Sequence, residues 1–212
     1  NPGSNSMTIE FQLFVPPQTN TSQIVLQKVS SSVDPYDQGF GVVLFSTSST
    51  TYCDLSMIVC SGSTVLSTSA VTVPINQFNH LAFIWDKTPG VSQIFGYANN
   101  LLVASSSAIE VGNLNIDAGN LLIGSGCSMG SVFNPTTTLS GAMDELRIWH
   151  STRTKSELKE FSVKNVFAVP DLKLYYKFNE IANNNTAVVL DHSGKGLHGT
   201  LSDYAVDELQ VR

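Results

Sequence analysis

The chain has 212 residues, of which 42% are hydrophobic and only 13% are charged, and its formal net charge is −6. A chain of this length can bury one sizeable core, and all-β sandwiches of this size commonly form a single domain. The acidic balance argues against nucleic acid or an anionic membrane as partner. Apolar runs are too short to cross a bilayer, so membrane insertion is not expected.

The chain is predicted to consist mainly of strands. Apolar residues alternate with polar ones in short runs that are separated by Gly, Pro, Asn and Ser, as in Ile9, Phe11 and Leu13 before Pro16. This pattern predicts strands at residues 8–15, 24–29, 40–46, 55–60, 64–68, 71–75, 78–86, 94–97, 101–105, 109–116, 121–123, 141–149, 172–178 and 187–190.

The segment at residues 78–86 is apolar on both faces, with Leu81 and Phe83 on one and Ala82 and Ile84 on the other. Such a run predicts a central strand that is covered on both sides. His80, near its start, is interpreted as a structural hydrogen-bonding residue, since no nucleophile lies close to it in the sequence.

Three connections hold polar residues that could contact a ligand. The loop at residues 30–38 contains Tyr36 and Asp37, which fit a calcium or sugar contact and also fit ordinary turn chemistry. The pair Asn99-Asn100 predicts a two-residue hairpin turn, because Asn tolerates positive φ. A long polar loop is predicted at residues 124–138, and loops of this length are often functional.

The strand at residues 141–149 carries the carboxylate that most needs an explanation. With period two, Asp144 shares a face with Leu146 and Ile148, and that face should be buried. A buried carboxylate is costly unless a cation or several donors meet it. Glu145 and Arg147 lie on the opposite face, where they can pair with each other or with charges across the ladder.

One short helix follows, from a capping-box pattern at residues 154–157 to about Phe161. The chain shows no internal repeat. We therefore expect a linker or expression remnant at residues 1–6, a single domain at residues 7–212, and a parent protein that is longer.

Cysteine pairing and glycosylation stay open at this stage. Cys53 and Cys60 are close enough in sequence to bridge a hairpin or loop, but three free thiols, with Cys127, are an equal alternative. Asn20 and Asn184 begin glycosylation sequons, which arise easily by chance in a chain rich in Asn, Ser and Thr.

Several of these segments together resemble laminin-G-like and pentraxin-like domains of the concanavalin A-like lectin/glucanase group. The similar segments, in chain order, are TIEFQLFV at residues 8–15, FNHLAFIWD at 78–86, the hairpin at 96–105, LLIG at 121–124, GAMDELRIW at 141–149, YYKFNE at 175–180 and DHSGKGLHG at 191–199. The departures are Phe78 where Trp is usual, Asn99-Asn100 where Asn-Gly is usual, and Lys195 where relatives often have Asn. The resemblance implies an antiparallel β-sandwich of jelly-roll type with one short helix.

Calcium is the cofactor that the resemblance implies, since many domains of this kind bind it. Asp144 and Asp191 could share one ion if the two terminal segments lie side by side, because calcium takes about six to eight oxygen ligands. Lys195 removes one oxygen ligand from that set. The alternative is that Asp144 accepts hydrogen bonds from backbone N–H groups of the glycine-rich loop and that no metal is present.

Catalysis is not expected. Glucanases of this group typically carry a Glu-x-Asp-x-Glu strand, whose acidic residues flank the glycosidic bond. The chain has no such triple, and the adjacent Asp144 and Glu145 should point to opposite faces. It also lacks the serine elbow, the zinc-binding helix and the phosphate-binding loop of other enzyme classes.

We therefore expect a lectin-like, extracellular or cell-surface recognition module that binds carbohydrate. The alternatives are a protein–protein adhesion module and a structural spacer without a ligand. The candidate ligand-binding residues are Tyr36, Asp37, Tyr52, Asp86, Asn99 and Asn100, and the candidate metal ligands are Asp144 and Asp191.

Overall fold

The computed structural model describes residues 1–17, 21–30, 38–87, 90–117, 119–180 and 188–202. Within these ranges the chain is built from short strands and one short helix, as predicted. The elements are β1 (Met7–Phe14), β2 (Gln23–Val29), β3 (Gly39–Phe45), β4 (Tyr52–Ser61), β5 (Thr64–Ser67), β6 (Val71–Pro74), β7 (Phe78–Asp86), β8 (Gln93–Ala98), β9 (Leu101–Ser105), β10 (Leu121–Ile123), β11 (Ala142–Trp149), α1 (Lys155–Phe161), β12 (Leu172–Tyr176), β13 (Val188–Val189) and β14 (Gly199–Thr200).

The strands form two antiparallel sheets. The first has the order β12-β11-β1-β7-β8-β9. The second has the order β10-β2-β3-β4-β5, and β6 pairs with the first half of β4. β13 and β14 pair with each other. The predicted antiparallel β-sandwich is confirmed.

The main core lies between the two sheets. Ile9, Phe11 and Leu13 of β1 are at most 1% exposed, and they belong to one cluster with Val42 and Leu44 of β3. Because side chains alternate along a strand, the residues between them face outward from the sandwich. The period-two pattern of the sequence therefore places the core correctly for the central strands.

The sheets come very close together along one edge of the sandwich. A Cβ atom at Gly96 of β8 would lie 2.6 Å from Val71 Cγ2 of β6 and 3.3 Å from Ala104 Cβ of β9. Real Cβ atoms do not approach other atoms as closely as 2.6 Å. Gly96 thus allows this edge to close.

The outer face of the first sheet is covered by α1 and the segment after it. Leu158 of α1 is fully buried and packs on Ala82 and Ile84 of β7, so the prediction of a strand covered on both sides is confirmed. The predicted capping box is also confirmed, since Thr154 Oγ1 accepts the Glu157 N–H at 3.3 Å and Glu157 Oε2 accepts the Thr154 N–H at 2.7 Å.

The loop at residues 124–138 covers part of the outer face of the second sheet. Met129 and Phe133 pack there on Ile24, Val43 and Ile58. The Gln27 amide fixes the loop, because its Nε2 donates to Cys127 O at 2.9 Å and its Oε1 accepts the Cys127 N–H at 2.8 Å. The predicted polar loop therefore has a structural role as a cover.

One prediction about local structure is wrong, and one open question about the cysteines is answered. Residues 109–116 form no strand: Ile109 and Leu114 make only isolated bridges, to Ser92 and Gly3. A bridge between Cys53 and Cys60 is excluded because both lie on β4, where seven residues span about 23 Å. All three cysteines are free thiols.

Residues 1–6, which were expected to be a linker, lie against the sandwich. Pro2 is buried and Gly3 bridges Leu114. Lys87 Nζ donates to Gly3 O at 3.2 Å, and the Lys87 N–H donates to Ser6 Oγ at 2.9 Å. The domain boundary at residue 7 stays a prediction.

Candidate functional site

A β-bulge changes the environment predicted for Asp144. Gln12 pairs with Asp144 and Glu10 with Arg147, so that two residues of β11 lie opposite one residue of β1. Glu145, in this bulge, has φ +54°. The extra residue shifts the alternation of side chains between the two faces of β11. As a result, Asp144 lies on the outer face with Gln12 and does not share the core face of Leu146. The prediction that Asp144 points into the core is wrong, and its side chain is half-buried.

Glu145 lies on the outer face with Arg147, as the period-two pattern predicts. Its Oε2 accepts hydrogen bonds from Arg147 Nη2 and from Tyr175 Oη. The pairing of Glu145 with Arg147 is confirmed, but the expectation that Asp144 and Glu145 point to opposite faces is wrong. Burial, followed by the hydrogen bond to Glu145, raises the pKa of Tyr175 to about 12.

Arg147 links the first sheet to the segment that covers it. The side chain is 2% exposed, and Nη1 donates to Phe161 O at 2.7 Å while Nη2 donates to Lys164 O at 3.0 Å. Its guanidinium also lies 4.8 Å from the centre of the Tyr175 ring. These contacts fix α1 and the following turn on the sheet, which is a structural role.

Glu10 is the second buried carboxylate of this network. Its Oε1 accepts the Trp149 indole N–H at 2.9 Å, and its Oε2 lies 3.4 Å from His80 Nε2. Burial alone would raise the pKa of Glu10, but His80, Arg147 and Trp149 together hold it below the ordinary range. The contact supports the structural interpretation of His80, and every partner of Glu10 named here is itself buried.

Asp191 accepts four hydrogen bonds from the protein. Oδ1 accepts the Tyr175 N–H at 3.0 Å and the Ser193 N–H at 2.9 Å, and Oδ2 accepts Ser193 Oγ–H at 2.8 Å and the Leu197 N–H at 3.0 Å. Burial alone would raise the pKa of Asp191, but these hydrogen bonds lower it below the usual Asp value. The interpretation given to Asp144, a carboxylate that accepts N–H groups of the glycine-rich loop, therefore describes Asp191.

The two predicted metal ligands do not form a calcium site in this arrangement. The terminal segments do lie side by side, since Leu146 pairs with Tyr176 and Tyr176 bridges Asp191. However, protein donors occupy the lone pairs of Asp191. Within the described ranges, no group of three or more His, Cys, Asp or Glu side chains could hold a metal ion. Calcium binding stays a prediction of the resemblance, and these residues do not fit it.

The candidate ligand-binding residues divide between the two ends of the sandwich. Tyr52 pairs with Pro74 at the end that also holds the Asn99-Asn100 turn, where Asn79 Nδ2 donates to Pro74 O at 2.8 Å. Asp86 lies at the other end of β7, about 20 Å from that turn. Tyr36 and Asp37 lie outside the described residues. The candidates therefore do not form one site.

Asn99 has a structural role in the hairpin between β8 and β9. Its Oδ1 accepts the His80 N–H at 3.0 Å, its own N–H donates to His80 O at 2.7 Å, and its Nδ2 donates to Asn79 Oδ1 at 3.2 Å. Asn99 and Asn100 have φ values of +48° and +67°. The predicted two-residue turn is confirmed, and it explains both asparagines without a ligand.

Tyr52 belongs to a group of side chains with the chemistry of a sugar-binding surface. The ring is 51% exposed at the start of β4. Asp54 is two residues further along and so lies on the same face, about 7 Å away along the strand. Thr72 of β6 pairs with Asp54, and its Oγ1 donates to Asp54 Oδ1 at 2.5 Å. Phe45 of β3 pairs with Asp54 on the other side.

We call Phe45, Tyr52, Asp54 and Thr72 the outer-face patch. It lies beside the covering loop, because the rings of Phe45 and Phe133 meet edge to face at 5.4 Å. Sequence reasoning found Tyr52 but missed Asp54 and Thr72. Asp54 lay outside the predicted strand, which started at residue 55, and nothing in the sequence paired Thr72 with it. The signal that could have found them is the i, i+2 spacing of an aromatic and a carboxylate on one strand.

A family model described as the concanavalin A-like lectin/glucanases superfamily, of laminin-G type, matches residues 1–159. The chain belongs to this family. The laminin-G-like domain is also 28% identical over 91 residues to the human pentraxin-related protein PTX3, an alignment that covers 42% of the chain and 23% of PTX3.

Two solved structures show the same fold. A candidate carbohydrate-binding protein from Bacteroides ovatus has a TM-score of 0.65 and 20% identity, and the match covers 93% of the chain and 52% of that protein. CBM40 of the Ruminococcus gnavus IT-sialidase, bound to α2,3-sialyllactose, has a TM-score of 0.50 and 16% identity, and the match covers 75% of the chain and 83% of CBM40. The chain thus spans about a quarter of PTX3 and half of the Bacteroides protein.

No helix in the described part of the laminin-G-like domain is both long enough and apolar enough to span a membrane.

Proposed function

We propose that the laminin-G-like domain is a non-catalytic, lectin-like module that binds a glycan at the outer-face patch. The observation that carries the proposal is the half-exposed ring of Tyr52 beside the Asp54 carboxylate. An aromatic face can pack on the apolar face of a sugar ring, while a carboxylate accepts hydrogen bonds from the hydroxyl groups of the sugar. The carbohydrate-binding descriptions of two structural neighbours support this choice.

The lack of catalysis is part of the proposal. Glycosidases place two carboxyl groups on either side of the scissile bond, about 5 to 9.5 Å apart. Glu10 is 1% exposed and bound by Trp149, and Glu145 is bound by Arg147 and Tyr175. Asp191 accepts four hydrogen bonds from the protein. Each of these three acids is held by protein contacts. Asp54 is the acid that belongs to the outer-face patch.

An extracellular or cell-surface location within a longer protein belongs to the same proposal. It rests on the resemblance to secreted recognition modules and on a composition with only 13% charged residues. Ser, Thr and Asn supply many of the other polar residues.

A glycan array tests the proposal with the labelled domain and three variants. We expect Tyr52→Ala and Asp54→Asn to weaken binding tenfold or more, which corresponds to about 1.4 kcal/mol. Tyr52→Phe keeps the ring and should bind nearly as the unmodified domain. Each array is repeated with chelator, which separates calcium-dependent from calcium-independent binding. A glycan that binds equally to the domain and to Tyr52→Ala would place the site elsewhere.

A protein partner is the second candidate. The edge strand β9 exposes Leu101, Leu102 and Val103 by 59%, 53% and 48%, and exposed apolar edges can pair with another chain. A cell-surface pull-down that fails with Leu102→Lys but succeeds with Tyr52→Ala would favour this alternative. If the array and the pull-down both find nothing, a spacer without a ligand becomes the better reading.

A further inference from the structure

The sandwich is open along the edge opposite Gly96. There a groove of about 770 Å³ lies between β10 of the second sheet and the β11–β12 pair of the first. Protein sites for small molecules usually measure about 300 to 1,000 Å³. The difference from the closed edge, where a Cβ on Gly96 would collide with Val71, shows that the sheets are packed tightly on one side only.

The groove reaches the hydrophobic core. Met7 and Phe40 form part of its lining although they are 0% and 2% exposed, so they lie at its base. Leu174 and Leu121 lie on its two sides, one from each sheet. Tyr176 Oη donates to Leu197 O at 2.6 Å, which fixes the segment after β13 as one wall. The base and sides therefore offer an apolar surface.

Basic groups line the same groove. Lys28 Nζ bonds to Gly119 O, and Lys173 Nζ donates to Pro170 O at 2.7 Å. His198 Nδ1 accepts the Asp191 N–H at 3.0 Å, so a neutral His198 carries its proton on Nε2 and can donate it. Burial, followed by the positive charges of the amino terminus and of Lys173, lowers the pKa of His150 to about 4, which leaves His150 uncharged at neutral pH.

Among the described residues, the acidic groups near these side chains are Asp117, close to Lys28, Asp171, close to His150, and Asp191, next to His198 and Tyr176. None of these carboxylates is among the residues that line the groove, whereas both lysines are. The described side chains that line the groove are therefore apolar, basic or uncharged polar, and none of them is acidic. This combination complements a molecule with an apolar body and a negatively charged head.

We propose that the groove between β10 and the β11–β12 pair is a second binding site, which takes a small amphipathic anion on the order of 20 non-hydrogen atoms. The apolar body lies on Leu121, Leu174 and Phe40, and the anionic head lies at Lys173. The site is separate from the outer-face patch, because its residues come from the opposite long edge of the sandwich. It needs neither a glycan nor a metal ion.

Fluorescence titration with dansyl-labelled undecanoate tests the proposal, followed by displacement with laurate. We expect saturable binding that laurate displaces at least tenfold better than dodecyltrimethylammonium, which has a similar apolar tail and the opposite charge. Leu121→Trp fills the groove and should abolish the signal. The matched control is Leu101→Trp, on the exposed edge strand β9, which should bind as the unmodified domain.

If circular dichroism shows that Leu121→Trp does not fold, Lys173→Glu keeps the test decisive. Lys173 lies at the rim of the groove, so Lys173→Glu should weaken the binding of laurate at least tenfold, while dodecanol should displace the probe as before. The proposal is overturned if binding of the probe does not saturate, if folded Leu121→Trp still binds the probe, or if laurate and dodecyltrimethylammonium displace the probe equally well. Tyr52→Ala, measured in parallel, should leave the fluorescence titration unchanged, so that loss of glycan binding and loss of this site are read separately.

Discussion

Glu10 and Arg147 lie directly opposite each other on β1 and β11, with side chains that are 1% and 2% exposed. Arg147 Nη1 is 3.6 Å from Glu10 Oε1, and the same guanidinium contacts Glu145. One arginine thus balances two carboxylates beneath α1. Glu145 shares the face of Arg147 because it lies two residues before it on β11.

Replacing Arg147 should destabilise the domain strongly. Arg147→Met leaves Glu10 buried without its cation, and breaking a buried pair on one side costs about 3 to 5 kcal/mol. Urea unfolding measures the change in the free energy of unfolding. Lys164→Met is the control, since Lys164 is 61% exposed and its loss should change the stability by less than about 0.5 kcal/mol. A loss below 1 kcal/mol for Arg147→Met would show that the pair is not needed.

The comparison of Asp144 with β7 shows what the sequence can and cannot predict. Alternation and apolar content locate β7 and its two covered faces, because burial decides which residues face inward. The bulge at Glu145 has no such signal, since Glu rarely takes positive φ and no Gly marks the position. A one-residue shift then reverses the face of Asp144. An error in a strand limit had a similar effect on Asp54, which was not predicted as part of the site because the predicted strand started at residue 55.

The pairing of distant strands is the other feature that the alternation of apolar residues does not predict. Residues 109–116 contain alternating apolar residues, yet only Ile109 and Leu114 find a bridging partner. The family resemblance supplied the order of the terminal segments, and the contact between Tyr176 and Asp191 agrees with it. The groove could not be predicted, because it results from how far apart two sheet edges lie.

Asp191 should make stability depend on acidic pH. Its hydrogen bonds place the folded-state pKa below the unfolded value of about 3.9, so its contribution is present above that value and is lost as pH falls through the folded pKa. Asp191→Asn should lower the stability at pH 7 by about 1 to 3 kcal/mol and flatten the loss of stability below about pH 3.9. Urea unfolding at each pH measures this. The control is Asp171→Asn, at an exposed position, which should keep the original dependence of stability on pH.

Removal of calcium should leave the thermal stability unchanged. The family resemblance predicted a calcium ion shared by Asp144 and Asp191, but protein donors occupy both oxygens of Asp191 and the bulge places Asp144 on the outer face. Calorimetry with chelator and with added calcium should give the same transition. A calcium-dependent rise that Asp191→Asn removes would contradict this expectation and restore the ion between the terminal segments.

The turn at Asn100 should reject β-branched residues. Its φ of +67° is unfavourable for most side chains, and the left-handed conformation costs about 1 to 2 kcal/mol for an L-residue. Asn100→Val should therefore lower the free energy of unfolding by that amount. Asn100→Gly, which adopts this conformation freely, should be neutral or slightly stabilising. Equal stabilities of the two variants would mean that the turn rearranges.

The three thiols should differ sharply in reactivity in the folded domain. Cys53 and Cys60 are 3% and 1% exposed, and burial raises their pKa values to about 12 and 11, with Asp54 adding to the effect on Cys53. The thiolate is the reactive form, so both should resist alkylation at pH 8. Cys127 is only half-buried and should be labelled first by iodoacetamide. Peptide mapping by mass spectrometry identifies the labelled residue.

Two controls make the thiol experiment specific. Cys127→Ser should remove nearly all labelling of the folded domain, and addition of urea should make Cys53 and Cys60 reactive at similar rates. Because Cys53 faces the core and Cys60 faces the covering loop, early labelling of Cys60 alone would report opening of that loop. Labelling of Cys53 as fast as Cys127 under native conditions would contradict the packing of β4 between its neighbours.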